Sequence, residues 1–145
     1  KEILEKYYGV FNSQLETAAV YIPNTQNYFE DIFPVLERIA NTYFSFAKNN
    51  SVFCLMMLSM SFAPPTAQTT IAARPYHEVQ YRLVTEAFQK MSETHGNLKG
   101  KAFQLACNFT AILNANIGFW YHGLCELSPE KAKNLVHQFM HGIYA

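Results

Sequence analysis

Charge of one sign is what this chain most clearly lacks: eleven Lys and Arg balance eleven Asp and Glu across 145 residues. A neutral chain has no electrostatic footprint for nucleic acid or an anionic membrane surface, so direct binding of either is not expected. No CxxC spacing occurs. Cys54, Cys107 and Cys125 sit in apolar sequence and are expected to be reduced, buried thiols of a cytoplasmic protein. The opening residues do not read as a signal peptide. The most apolar stretch, "VFCLMMLSMSFA" (52–63), amounts to only about 18 Å of helix, too short to span a bilayer. Catalytic signatures are missing too: there is no Gly-rich phosphate loop, GxSxG, HExxH or pair of buried carboxylates on one helix. Glu30, Asp31 and Glu126 fall at helix starts or turns, where acids complement the helix dipole. No enzyme activity, catalytic residue, cofactor or resident metal is expected.

What is present is helical periodicity. Area scaling for 16.6 kDa gives about 7,600 Å² of folded surface against about 24,000 Å² unfolded, enough burial for one domain over 1–145 with a real core. The chain opens in helical rhythm, with Leu4, Tyr8, Phe11, Leu15 and Ala18 or Ala19 on one face. Without an initiator Met or a cap, Lys1 is expected to lie inside a longer polypeptide or at a trimmed end of one. "IPNTQN" (22–27) breaks this helix. The next helix carries Phe29, Ile32, Leu36, Ala40, Tyr43 and Ala47, widened by Tyr28, Val35, Ile39 and Phe46, and Pro34 should kink it or mark its first turn. Asn49, Asn50 and Ser51 punctuate, with Ser51 as N-cap. The segment 52–63 reads as a buried central helix ended by Pro64 and Pro65, and 64–74 as loop or frayed chain.

From Pro75 to His95 one stripe holds Tyr76, Val79, Gln80, Leu83, Val84, Ala87 and Met91. The opposite ladder Glu78, Arg82, Glu86 and Lys90 marks a solvated face. "GNLKG" (96–100) is a turn. A helix then runs to about Gly123, and "SPEK" (128–131) starts the last one, with Ala132, Leu135, Val136, Phe139, Met140 and Ile143 inward. The expected fold is all-α, an antiparallel bundle of about six helices.

"LACNFTAILNANIGFWYHGL" (105–124) is uncharged yet holds Asn108, Thr110, Asn114, Asn116 and His122. At 100° per residue, Ala106, Phe109, Leu113, Ile117, Trp120 and Leu124 form a bulky core face. Opposite lie Gln104, Cys107, Asn108, Ala111, Ala115, Gly118 and His122, small or neutral-polar throughout. A solvent face would normally carry Lys or Glu, so a helix of another subunit is expected against this stripe. Two alternatives stand beside it: the chain covers the stripe with its own first or last helix, or the helix is membrane-buried, at the expense of several amides and a His. Thr110 and Asn114, on the flank nearest the core, are candidates to point into a cavity.

Two stretches resemble the C-terminal regulatory domain of TetR/AcrR-like transcription regulators. "YFSFAKNNSVFCLMMLS" (43–59) is similar to that family's central segment, and "AILNANIGFWYHGLCELSPEKAKNLVHQFMHGIY" (111–144) to its final antiparallel helix pair. The likeness lies in helix order and pattern, not in an invariant motif. It implies a homodimer through a four-helix interface of the last two helices, with Val136 and Met140 joining the stripe. It also implies an effector pocket among the preceding helices, and DNA contact only through an N-terminal helix-turn-helix domain that 1–145 does not contain. The Asn49–Asn50 break and Pro34 have no counterpart in the family pattern.

For a pocket, apolar bulk with few polar groups is required. Phe29, Phe33, Tyr43, Phe53, Met56, Met57, Met60, Tyr76 and Tyr81 provide the bulk, and Ser59, Thr110 and Asn114 the hydrogen bonds. Each is also an ordinary core candidate, but as a set they favour a small, mostly apolar or aromatic effector. His137 and His141 stand at i,i+4, with His122 and Cys125 upstream. A metal would need a third ligand at fixed spacing, so surface or interface histidines are the better reading. At a dimer contact they would weaken association below roughly pH 6. A helical protein–protein adaptor with no small ligand is the alternative function.

Overall fold

The computed structural model describes residues 2–61 and 64–141. Among them there are six α-helices and no strand: α1 (Glu2–Ala18), α2 (Tyr28–Asn49), α3 (Ser51–Ser61), α4 (Gln68–Thr94), α5 (Ala102–Tyr121) and α6 (Pro129–His141), with a 3₁₀ turn at Gly96–Leu98 between α4 and α5. The all-α fold is as expected from periodicity. No helix of the described residues is long and apolar enough to cross a membrane.

Local chemistry sets the helix ends. Asn27 caps α2, its side-chain oxygen accepting from the backbone N–H of Phe29 (3.1 Å) and Glu30 (3.3 Å). Ser128 does the same for α6, accepting from Lys131 N at 3.0 Å, with Pro129 in the first helical position. Helix α5 stops in a Schellman motif. Gly123 takes φ +78° and donates to Trp120 O, while Leu124 donates back to Phe119 O. That reversal throws Leu124 off the core face assigned to it and leaves it 74% exposed.

Helix α2 runs through Pro34 and packs against α1, α3, α5 and α6, while α4 packs against α1, α3 and α5. Tyr8, Phe11 and Leu15 from α1 meet Ile32, Leu36, Ile39 and Ala40 from α2, and Val84, Phe88 and Met91 from α4 meet Phe109 and Leu113 from α5, all buried. Burying each large apolar side chain contributes roughly 1.5–3 kcal/mol before entropy is counted.

Three expectations change. Helix α4 begins at Gln68, well before Pro75, so much of 64–74 is helix. A Pro at the eighth position of the helix forfeits one backbone hydrogen bond, and Ala73 is buried just before it as an anchor. Helix α3 is peripheral, not central: Phe53 and Cys54 face inward while Val52 is 71% and Met56 44% exposed. Apolarity all round leaves a short helix without an instruction about which face to bury. Finally, α6 lies mainly on α2 and meets α5 through Phe139 against Phe109, ring centroids 5.0 Å apart, rather than as a tightly paired antiparallel hairpin. Ile143 lies outside the described residues.

Candidate functional site

A small cavity sits where five helices converge. Helix α2 supplies Tyr43 and Phe46, α3 Cys54, Met57 and Leu58, α4 His77, Gln80 and Tyr81, α5 Thr110, Asn114 and Ile117, and α1 Phe11. Where a helix supplies more than one of these residues they are adjacent or lie three, four or seven apart, so one face of each is aimed at the same space. Phe11 sets its edge against Tyr43 (4.9 Å) and tilts on Phe46 (4.8 Å). The cavity volume is about 30 Å³, room for about two water molecules.

No Lys, Arg, Asp or Glu lines it. The ionisable groups that do are kept neutral. Burial pushes the Cys54 thiol up to about 12 and raises Tyr43 and Tyr81; the neighbouring Tyr81 adds to the rise at Tyr43, and Cys107 to that at Tyr81. Burial lowers His77 below the ordinary imidazole value. The Tyr8 hydroxyl, also raised by burial, shares a 2.8 Å hydrogen bond with His77 Nε2, so α1 is tied to a residue of the cavity wall. Thr110 Oγ1 donates back to Ala106 O at 2.8 Å. Gln80 is 7% exposed, and its Nε2 is sealed from solvent without a hydrogen-bond partner. Such an unmet donor costs about 1–3 kcal/mol. Tyr81 also faces an open groove between α4 and α5, shared with Arg82, Phe103 and Cys107, and so stands between cavity and surface.

Of the pocket residues expected from sequence, Tyr43, Met57, Tyr81, Thr110 and Asn114 line this cavity. Phe53 and Tyr76 belong to the adjoining aromatic core: Tyr76 stacks on Tyr8 at 4.9 Å and Phe53 on Tyr7 at 4.7 Å. Met56 points outward from α3 into a shallow surface groove with Ile3 and Tyr7. Ser59 is exposed and donates to its own helix at Leu55 O. Phe29 and Phe33 are far from the cavity, near the start of α2, where they pack against His141 and His137. The side chain of Met60 lies outside the described residues. Sequence reasoning missed Phe11, Phe46, Cys54, Leu58, His77, Gln80 and Ile117 as lining. A Gln within the apolar stripe of α4 was the available signal.

On α5 the small-residue stripe is uncovered. Gln104, Asn108, Ala111, Ala115 and His122 are exposed, and Cys107 and Gly118 half-buried. Among the described residues neither α1 nor α6 covers it, against the alternative in which the chain shields the stripe with its own first or last helix. Phe103, Phe119 and Tyr121 are exposed on the same helix. Val136, expected at the interface, is fully buried in the chain's own core, and Met140 packs half-buried against that core. Both point inward because α6 turns its apolar face to α2. Cys107 and Cys125 are half-buried, not buried like Cys54. The His137 and His141 rings tilt against each other with centroids 4.4 Å apart, and no group of three or more His, Cys, Asp or Glu among the described residues is placed to hold a metal.

A second polar cluster was not foreseen. Asp31, assigned from sequence to the helix dipole, is buried with no side-chain exposure. Its Oδ2 accepts from the Tyr21 hydroxyl and from His95 Nε2 (2.6 Å), and its Oδ1 from the backbone N–H of Asn24 (2.8 Å) and Thr25 (3.4 Å). Burial alone would raise its pKa. The bonds from Tyr21, His95 and the two backbone groups more than offset this and hold the carboxyl down at about 2. The cluster ties the α1–α2 loop to the end of α4. Its partners are all internal, so we read it as a structural knot.

Comparison with family models, with curated proteins and with solved structures finds no match to this chain.

Proposed function

We propose that this chain is the effector-binding and dimerising domain of a TetR-like one-component transcription regulator. In this reading a small, mostly apolar effector occupies the cavity between α2, α3, α4 and α5. Its occupancy is passed through α1 to a DNA-reading helix-turn-helix domain joined to that helix. The observation that carries the reading is the sealed, unpartnered Gln80 Nε2 in an uncharged aromatic cavity whose wall is tied to α1 by Tyr8 and His77.

The mechanism is linkage. The closed cavity of about 30 Å³ is far below the roughly 300 Å³ at the lower end for drug-sized ligands, so ligand binds an opened packing. An effector that prefers one packing by about 1–3 kcal/mol changes operator affinity by roughly 5–150-fold. Thermal-shift measurements with a panel of uncharged aromatic and aliphatic compounds against a panel of charged metabolites test the site. Stabilisation confined to uncharged compounds supports it, and stabilisation confined to charged metabolites overturns it.

Exposed Phe103, Phe119 and Tyr121 on α5 also suit a second reading, a helical adaptor that docks a different protein. An adaptor binds no small molecule and can be a monomer when alone.

A further inference from the structure

Among the residues that line the cavity, Gln80 alone carries a sealed polar atom without a hydrogen-bond partner. We propose that Gln80 is the group by which the cavity recognises its ligand, and that the ligand is a small neutral aromatic molecule bearing a hydrogen-bond acceptor, a ring-attached carbonyl for example, which takes the Gln80 Nε2 hydrogen. The inference rests on the effector-binding reading and narrows it to a chemical class.

Four observations converge on that class. The unmet group is a donor, so its partner must accept. The same cavity is walled by the rings of Phe11, Tyr43 and Phe46, already in edge and tilted contact, an arrangement that admits a further ring. No cationic side chain lines the space, and burial keeps His77 uncharged, so an anion would shed its water without a counter-charge. Size allows no more than a single ring. One benzene-sized molecule needs on the order of 150 Å³, several times the volume available when closed.

The added space comes from the α3 side. Met57 and Leu58 are half-buried cavity wall, and α3 leaves its outer face, Val52 and Met56, uncovered. The α4 and α5 walls are anchored by the Tyr8–His77 bond and by the packing of α4 on α5. Ligand entry therefore displaces α3 outward while Gln80 stays in place on α4.

Acetophenone, ethylbenzene and benzoate are close in size and differ in acceptor and charge. Each is titrated into the ¹⁵N-labelled chain while the Gln80 side-chain amide and the backbone resonances of cavity residues are followed. Acetophenone is expected to move the Gln80 amide signals and to bind about tenfold tighter than ethylbenzene, the worth of one neutral hydrogen bond, with benzoate weakest. In Gln80→Leu that ratio is expected to fall to about one. The substitution removes a sealed, unpaired amide, so the variant is expected to melt no lower than wild type, and Gln80→Met serves as a second, more adaptable replacement. Equal affinity for both neutral probes in wild type, or a tenfold ratio that survives both substitutions, overturns the role of Gln80 and leaves effector binding standing. If no neutral probe moves any cavity resonance and both variants melt higher, the space is core that holds water only, and both readings fall.

Discussion

Asp31 gathers four hydrogen bonds on one carboxylate, and its stability contribution has a definite pH window. The folded value of about 2 lies below the ordinary 3.8, so the stabilisation is complete above about pH 5 and is lost as pH falls through 4 toward 2. Asp31→Asn keeps the size but removes the charge and turns an amide donor toward two donors. It is expected to cost about 2–3 kcal/mol at pH 7. Urea unfolding of wild type and variant from pH 7 to pH 2.5 checks this: the gap should hold steady down to about pH 5 and shrink below 4. A gap that does not depend on pH would mean that the charge of Asp31 does not hold the knot. Little of this was legible beforehand. Tyr21 stands ten residues from Asp31 and His95 sixty-four, and neither separation belongs to a helical period that a pattern can detect. Gln80 was different. Its place in the apolar stripe of α4 was visible, and only the absence of a partner needed the structure.

Among the helices, α2 and α6 could be read from sequence because a 3.6-residue stripe and an N-capping residue agree at each, α5 from its stripe and the glycine that ends it, and α1 from its stripe alone. Helix α3 could not be placed. Nearly uniform apolarity gives no preferred face, and which side met α2 was decided by what α2, α4 and α5 left open. Its thin cover makes it the element expected to open on its own. Cys54 reports on this, because its thiol faces the cavity from α3 and is held nearly unionised by burial. Alkylation followed by mass spectrometry should show Cys107 and Cys125 reacting first. Cys54 should follow at a rate that barely changes with low concentrations of urea, the mark of a local opening. A Cys54 rate that rises with urea as steeply as global unfolding does would show that α3 leaves only when the whole domain unfolds.

At the scale of the whole molecule, the exposed surface is 8631 Å², about 1,000 Å² more than a compact monomer of this mass presents. That excess is close to the roughly 800 Å² each partner contributes to a standard interface. The uncharged α5 stripe is where we expect it to be used. Light scattering should give about twice 16.6 kDa, and Ala111→Glu or Ala115→Glu should return the chain to its single mass with its helical content unchanged. A wild-type monomer at all accessible concentrations would count against the regulator and favour the adaptor. The cavity has one more consequence, which concerns compression. A void of about 30 Å³ is about 18 mL per mole of volume that disappears when water enters or the walls part, a sizeable share of the 20–100 mL/mol by which unfolding shrinks an ordinary protein. It lies near Phe46, fifteen residues and so about 22 Å along α2 from Asp31. Hydrostatic pressure therefore acts unevenly on this molecule: the hollow end beside α3 gives way first, while the end closed by the Asp31 knot stays folded.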